Sequence, residues 1–198
     1  DSGSGKDTLA RSLVDLLGQS NVASISGDNY HLWDRNDKMW QVYTHLNPAA
    51  NDLEKMSRDV IALVDRQRIY TQYYDHASGR KSSQGAMKSG DFIVVSGLHA
   101  LFSPVIVAAS DLKIFLEMDE PLRHWLKIHR DTSERGHERH EILKSLRKRE
   151  PDRRMFIEPQ RHKADLIIKL FSKEEIDENF SLSQFQPLIT FILTGKAD

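Results

Sequence analysis

The sequence predicts an α/β protein built on a mostly parallel sheet with helices on both faces. Strand-like apolar segments alternate along the chain with helix-like segments, and strands that are joined through helices run parallel with right-handed crossovers. One apolar segment, Phe92-Ile93-Val94-Val95, is continuous, which is typical of a strand buried on both faces. These two observations predict the fold class before any motif is considered.

Composition limits the classes of protein that the chain can belong to. Its 198 residues fit a single domain with a substantial core, and its net charge of −1 gives no general attraction to nucleic acid or membranes. The absence of cysteine excludes disulfides and thiolate metal sites and is consistent with a cytoplasmic location. No apolar run approaches the ~20 residues needed to span a bilayer. We therefore expect one cytoplasmic domain over residues 1–198.

The first element to justify is a glycine-rich loop that leads directly into a helical pattern. Small residues allow successive backbone N–H groups to point at one anion, and the helix presents the positive end of its dipole to it. Lys6 can reach the outer phosphates of a nucleotide. The loop therefore predicts a P-loop NTPase-type fold, the alternative being an ordinary turn before a helix. The predicted nucleotide-binding residues are Ser2, Gly3, Ser4, Gly5, Lys6, Asp7 and Thr8.

The loop departs from the full G-x-x-x-x-G-K-[ST] pattern at both ends. The first glycine and the apolar strand before it would lie ahead of Asp1, so we expect a fragment that lacks the first strand of the sheet. Asp7 occupies the place where a Ser or Thr hydroxyl normally meets Mg²⁺, and Thr8 comes one residue later.

Further along the chain, charged residues would complete a phosphoryl-transfer site. Asp28 follows a predicted strand, and ligands of open α/β sheets lie beyond the carboxyl ends of strands, so Asp28 could accept the proton of an acceptor hydroxyl. Arg130 and Arg135, with Lys127, would close on the phosphates. They lie in a charged stretch with few apolar anchors, which predicts a helical lid over about 127–154. Taken singly, a turn residue or a solvated face explains each of them as well.

Between these groups lies a polar and aromatic stretch, residues 32–51, which we interpret as a structured loop over the site. Asn51 and Glu54 at its end have the spacing of a capping box. This spacing predicts that Asn51 caps the helix that follows.

Several segments in one order resemble the phosphoribulokinase/uridine kinase family, and most closely its plant and cyanobacterial type. The resemblance runs from the phosphate loop to about residue 171. The segments that carry it are Asp28-Asn29-Tyr30-His31-Leu32-Trp33-Asp34-Arg35, Leu46-Asn47-Pro48-Ala49-Ala50-Asn51-Asp52, Tyr74-Asp75-His76-Ala77-Ser78-Gly79, Gly97-Leu98-His99, Trp125 to His137, and Ile157-Glu158-Pro159-Gln160 followed by Ala164-Asp165.

The resemblance implies ATP-dependent phosphorylation of a hydroxyl on a sugar, sugar phosphate or nucleoside, with Mg²⁺ as the second cofactor. It implies Asp28 as the base. The catalytic residues are then Lys6, Asp28, Arg130 and Arg135. The acceptor contacts are His31, Arg35, Tyr74, His76 and Lys127.

Departures from the family pattern affect the acceptor and the metal. Ala49 stands where the family's phosphoribulokinases carry an arginine that helps to hold the sugar phosphate, which weakens the assignment of a ribulose phosphate acceptor. Ser96 replaces the acidic residue of Glu-Gly-Leu-His. We predict that Asp7 and Ser96 have exchanged roles as metal ligands, the alternative being that the metal site is lost.

Two other functions remain open. A nucleotide-binding regulatory module with little or no turnover would explain Asp7 and Ser96. A polyanion-binding surface would use the basic cluster, although nearby acids balance it and no aromatic residues interleave. That cluster is Lys144, Arg147, Lys148, Arg149, Arg153 and Arg154.

The expected partner is a small-molecule acceptor, and we expect neither nucleic acid nor a membrane as a partner. A homo-oligomer and fusion to another domain remain open.

Overall fold

The computed structural model describes residues 4–82, 85–133, 136, 138–176, 180–181, 183 and 185–194. Ser2, Gly3 and Arg135 of the predicted site lie outside these residues. The described helices are α1 (Lys6–Leu17), α2 (Leu53–Val64), α3 (Pro104–Ala109), α4 (Glu120–Ser133) and α5 (Arg139–Asp152). The described strands are β1 (Val22–Ser26), β2 (Ile69–Thr71), β3 (Tyr74–Asp75), β4 (Arg80–Lys81), β5 (Gly85–Met87), β6 (Phe92–Ser96), β7 (Ile114–Met118), β8 (Leu166–Ser172) and β9 (Pro187–Leu193).

The main strands form two groups. In the first, β1 and β6 run parallel, with Val22 opposite Phe92 and Ser26 opposite Ser96. In the second, β7 and β8 run parallel and β9 pairs with β8 in the antiparallel sense. The predicted α/β class with a mostly parallel sheet is confirmed. Two short antiparallel ladders, β2 with β5 and β3 with β4, form the excursion between α2 and β6.

Among the described residues, β6 and β7 do not pair with each other, and a cavity of about 640 Å³ lies between them. Its walls include Leu9 and Leu13 of α1, Ile93 and Val95 of β6, and Phe115 of β7. These side chains are apolar; Ile93 and Val95 also pack against the buried cluster around Ile25, and Phe115 packs against the one around Ile167.

The main core lies between β1, α2 and α3. Ile25, Met56, Leu63 and Ile106 are nearly inaccessible and pack in one cluster. Burying such side chains contributes about 1.5–3 kcal/mol each. The cluster fixes β1 against α2, and it therefore fixes the point at which the chain leaves β1.

The carboxyl ends of β1 and β6 approach each other at two glycines. A Cβ atom added to Gly97 would lie 2.9 Å from the Cα atom of Gly27, a separation that real Cβ atoms do not adopt. Because both positions lack a side chain, the segments that follow the two strands start side by side. Asp28 and His99 lie on those segments.

The start of α2 corrects the capping prediction. The helix begins at Leu53 and its cap is Asp52, whose side chain accepts a hydrogen bond from the backbone N–H of Lys55 at 2.9 Å. The prediction for Asn51 is therefore wrong, because its amide is already engaged with other groups.

In the described part of the chain, no helix combines the length and the apolar character that crossing a lipid bilayer requires.

Candidate active site

The phosphate loop enters α1 through Gly5, whose φ of 84° lies in the left-handed region that glycine adopts without strain. A Cβ atom added to Gly5 would meet nothing within 4 Å, so the space beside this peptide is open to an anion. The Nζ atom of Lys6 lies 2.8 Å from one carboxylate oxygen of Asp7 and 2.9 Å from the other. The cation that would hold a phosphate is thus paired with its neighbour.

Asp28 lies at the carboxyl end of β1, in a short 3₁₀ turn, and is 9% exposed. The Nε2 atom of His76 is 3.2 Å from its Oδ2 atom, and the Nε2 atom of His31 is 3.8 Å from its Oδ1 atom. Burial by itself would raise the pKa of Asp28. The hydrogen bond with His76 and the charge of Lys6 more than offset this and hold the pKa well below its usual value. The carboxyl group is therefore ionised at neutral pH.

His76 reaches Asp28 from the β3–β4 hairpin, which also carries Tyr74. The backbone N–H of Tyr74 donates to the Oδ1 atom of Asn29 at 2.9 Å, which ties the hairpin to the turn that carries Asp28. The Tyr74 ring lies edge-on to both His31 and His76, with centroid separations of 5.2 Å in each case. Tyr74 therefore packs against both histidines that lie beside the carboxylate.

Arg35 holds the tip of the same hairpin. Its backbone N–H donates to the carbonyl of Gly79 at 2.8 Å, and its guanidinium donates to the carbonyl of His76 at 2.5 Å. A Cβ atom on Gly79 would lie 2.5 Å from the Cβ atom of Arg35, so only glycine permits this approach. In this structure Arg35 contacts the backbone that presents His76.

In α4, Lys127 and Arg130 meet on a shared carboxylate, that of Asp131. The Nζ atom of Lys127 lies 2.7 Å from one oxygen, and the Nη2 atom of Arg130 lies 2.8 Å from the other. Lys127 and Asp131 are almost fully buried. Burial and the positive charge of Arg149 lower the pKa of Lys127 to about 8, although Asp131 acts in the opposite direction.

Ser96 ends β6 and lines the cavity between β6 and β7 together with Ser4 and Lys6. The part of the chain that the structure describes contains no cluster of three or more His, Asp or Glu side chains that could hold a metal ion. The carboxylate of Asp7 and the hydroxyl of Ser96 are oxygen donors of the kind that Mg²⁺ prefers. A metal held by them would depend on phosphate oxygens and water for its other ligands.

Residues 1–177 match the model of the phosphoribulokinase/uridine kinase family. The chain belongs to this family. It is 33% identical over 181 residues to a phosphoribulokinase from Synechocystis sp., a match that covers 91% of this chain and 54% of the relative. It is also 33% identical over 171 residues to a uridine kinase from Halobacterium salinarum, covering 84% of this chain and 75% of the relative.

A solved phosphoribulokinase from Rhodobacter spheroides shares the fold. Its TM-score with this chain is 0.77 at 19% identity, and the match covers 98% of this chain and 77% of that structure. The chain spans about half the length of the phosphoribulokinases that it matches in sequence.

The structure of this family member brings several predicted residues together. Lys6, His31 and His76 all act on Asp28, and Tyr74 packs against both histidines. Lys127 and Arg130 meet through Asp131, which the sequence analysis did not select as a site residue. Spacing could have found it, because Asp131 lies four residues after Lys127 and thus on the same helical face.

A second cavity of about 540 Å³ adjoins the phosphate loop of this family member through Ser4. Arg123, Arg153 and Arg161 line it, and no motif in the sequence identified them together. Arg161 is paired with Glu117 at 3.0 Å. The cavity therefore borders the phosphate loop and has a strongly charged lining.

Proposed function

We propose that the chain is a kinase domain that uses ATP and Mg²⁺ to phosphorylate a hydroxyl of a sugar, sugar phosphate or nucleoside. The observation that carries the proposal is the ionised carboxylate of Asp28, which lies at the end of β1 within the electrostatic reach of Lys6. A base beside the cation of a phosphate loop is what transfer to a hydroxyl requires. The names of the relatives, phosphoribulokinase and uridine kinase, support the same class of acceptor.

In the proposed reaction the acceptor oxygen attacks the γ-phosphorus while its proton passes to Asp28. The bond between the γ-phosphorus and the bridging oxygen breaks, and ADP leaves with that electron pair. Lys6 and the loop N–H groups bind the phosphates, and Arg130 and Arg135 neutralise the charge that develops. Lys6 and Arg130 are paired with Asp7 and Asp131 in this structure, so the phosphates must compete with both carboxylates.

Mg²⁺ would supply further neutralisation of the β- and γ-phosphates, and Asp7 and Ser96 are the residues proposed to hold it. His31, Tyr74 and His76 are proposed to contact the acceptor, with Arg35 and Lys127 nearby. The proposal treats residues 1–198 as one cytoplasmic domain with a lid over about 127–154. Homo-oligomer formation and further domains are not needed for it.

An acceptor screen tests the proposal. The purified protein is incubated with Mg-ATP and one candidate at a time, including ribulose 5-phosphate, ribose and uridine, while ADP release is followed. Acceptor-dependent ADP release is expected for one of these classes. ATP binding without such release, for every hydroxyl compound tried, would favour the regulatory module instead.

The same assay tests the proposed base. Asp28→Asn keeps the size of the side chain but removes the proton acceptor, so kcat should fall about 10²–10⁴-fold while ATP affinity changes little. A matched control is Asp37→Asn, because Asp37 caps the turn at residues 38–41 and its cap survives the change. Retained turnover in Asp28→Asn would remove Asp28 from its role.

A further inference from the structure

The amide of Asn51 is held in one orientation by three hydrogen bonds. Its Nδ2 atom donates to the carbonyl oxygens of His45, at 3.2 Å, and of Asn47, at 2.9 Å. Both partners can only accept, so a reversed amide would place an oxygen against two oxygens. The Oδ1 atom of Asn51 must therefore be the atom that lies 2.7 Å from the Nδ1 atom of His31.

Since Oδ1 can only accept, Nδ1 of His31 carries a proton and donates it to Asn51. Burial lowers the pKa of His31, which keeps the ring neutral despite the nearby carboxylate of Asp28. A neutral imidazole has one protonated nitrogen, so Nε2 of His31 carries a lone pair. That lone pair faces Oδ1 of Asp28 at 3.8 Å.

The two oxygens of Asp28 consequently have different surroundings. Oδ2 lies 3.2 Å from Nε2 of His76, which is placed to donate to it. Oδ1 faces the lone pair of His31, and two acceptors cannot bond to each other. A donor placed beside the pair can bond to either atom: water does so in the free site and the hydroxyl groups of a ligand can replace it, whereas an ionised phosphate oxygen only accepts.

We infer that Asn51 is a positioning residue that fixes His31 in its Nδ1–H tautomer, so that His31 and Asp28 together present two hydrogen-bond acceptors to the hydroxyl groups of the substrate. This inference rests on the proposed function and specifies which face of the acceptor enters the site. Hydroxyl groups point at Asp28 and His31, and any phosphate group of the acceptor lies elsewhere.

The backbone maintains this arrangement. His31 and Asn51 form an antiparallel bridge, the N–H of Leu32 donates to the carbonyl of Ala50 at 3.0 Å, and the N–H of Asp52 donates to that of Tyr30 at 2.8 Å. The rings of Trp40, His45 and Tyr74 surround the imidazole, and the ionisable groups nearest to it are those of Asp28, His76 and Lys6. Without Asn51, the ring is free to move its proton to Nε2 and donate it to Asp28, which would occupy the proposed base.

The tautomer is measured directly by long-range ¹H–¹⁵N NMR of protein labelled with ¹⁵N-histidine, with His31→Gln used to assign the resonance. At pH 7 the wild-type His31 should show a protonated Nδ1 and an unprotonated Nε2. Asn51→Leu should shift the population toward the Nε2–H form, because it removes the acceptor that Nδ1–H requires. A wild-type His31 that is protonated on Nε2 or on both nitrogens overturns the inference, whether or not Asn51→Leu folds.

Asn47→Ala is the matched control for loosening of the loop. Asn47 caps the turn at Ala49 and contacts Asp152, so its removal weakens the same segment without touching His31. Its His31 tautomer should match that of the wild type, and a shift as large as in Asn51→Leu would show that loop packing, not Asn51, sets the tautomer.

Kinetics provide a second readout once an acceptor is known. Asn51→Leu should lower kcat about tenfold, with KM for ATP unchanged, because the interaction lost concerns the acceptor hydroxyl. An unchanged kcat would contradict the inference. The NMR measurement needs no acceptor, so a confirmed tautomer with no turnover on any hydroxyl compound would refute the proposed function and leave the role of Asn51 intact.

Discussion

At the scale of single residues, the phosphate loop contains the carboxylate of Asp7, which competes for Lys6 with the phosphate groups that the loop is proposed to bind. Asp7 binds Lys6 through both oxygens and is well exposed. If Asp7 has exchanged roles with Ser96, Mg²⁺ draws this carboxylate away from Lys6 when nucleotide binds. If the metal site is lost, Asp7 only repels the polyphosphate.

The two explanations predict opposite results for Asp7→Ser. Under the exchange, this change should abolish Mg²⁺-dependent ATP binding, and addition of Ser96→Glu should restore much of it, because the pair again offers one hydroxyl and one carboxylate. Calorimetric titration with ATP, with and without Mg²⁺, measures this. Tighter ATP binding by the single variant would refute the exchange.

His99 is the second residue with a measurable consequence. Its ring is 4% exposed, its Nδ1 atom has no hydrogen-bond partner among the described residues, and burial lowers its pKa to about 4. In the unfolded chain a histidine binds its proton near pH 6.5. Between pH 6.5 and 4 the unfolded state therefore binds more protons, and stability falls as the pH falls.

We expect His99→Phe to flatten this dependence. Between pH 7 and pH 4.5 the free energy of unfolding should fall by about 2–3 kcal/mol less in the variant than in the wild type. Urea unfolding at both pH values measures this. Some slope should remain, because burial also lowers the pKa of His31 and of His45. An identical slope in the two proteins would mean that His99 is protonated equally in the folded and unfolded states.

At the scale of elements, α5 is bound to the loop over residues 38–47, which leads to Asn51 and the proposed acceptor site. The Oγ1 atom of Thr44 donates to Asp152 at 2.7 Å, and the Nδ2 atom of Asn47 donates to its other oxygen at 3.3 Å. Lys148 donates to the backbone carbonyls of Trp40, at 3.1 Å, and Gln41, at 2.9 Å. The proposed lid therefore moves either together with residues 38–47 or by breaking these bonds.

Hydrogen exchange tests this coupling. We expect an ATP analogue to slow exchange in α5, because lids come from weakly packed parts of a structure. Asp152→Ala should speed exchange both in α5 and in residues 38–47, since it removes the side-chain contacts between them. Glu141→Ala, an exposed change in the same helix, is the control. Equal protection of α5 with and without the analogue would contradict the lid.

At the scale of the whole molecule, the two strand groups are separated by the apolar cavity between β6 and β7. Neighbouring strands of a sheet lie about 4.8 Å apart, and a single strand paired to both edges would join the groups into one sheet. An added apolar strand would fit this place, because the cavity borders Ser4 and the apolar face of α1.

We expect a fused strand to stabilise the fold. A short Val- and Ile-rich segment joined to residue 1 through a glycine-containing linker should raise the free energy of unfolding by about 3 kcal/mol or more, since each buried Val or Ile contributes about 1.5–3 kcal/mol. A Gly/Ser segment of equal length is the control, and urea unfolding is the measurement. Equal stability of the two fusions would show that the cavity does not accept a strand.

The sequence by itself determined the fold class and selected several residues that the structure brings together. Alternation of strand and helix patterns is a local property, and the glycine loop before α1 needs no distant partner to be identified. Asp28 was predicted from its place after a strand. The family resemblance pointed to His31, Tyr74 and His76, which the structure places around it through the turn after β1 and the β3–β4 hairpin.

Tertiary structure alone decided which polar groups meet. Asn51 and Asp52 both have the chemistry of a helix cap, and Asp52 takes this role because the amide of Asn51 is bound to His31, twenty residues away. Two other contacts likewise join distant segments: Arg35 donates to the backbone of the β3–β4 hairpin, and Thr44 donates to Asp152. A local pattern records which hydrogen bonds a side chain can make, and only the packing of the chain selects among them, since a buried polar group must find its partner within reach.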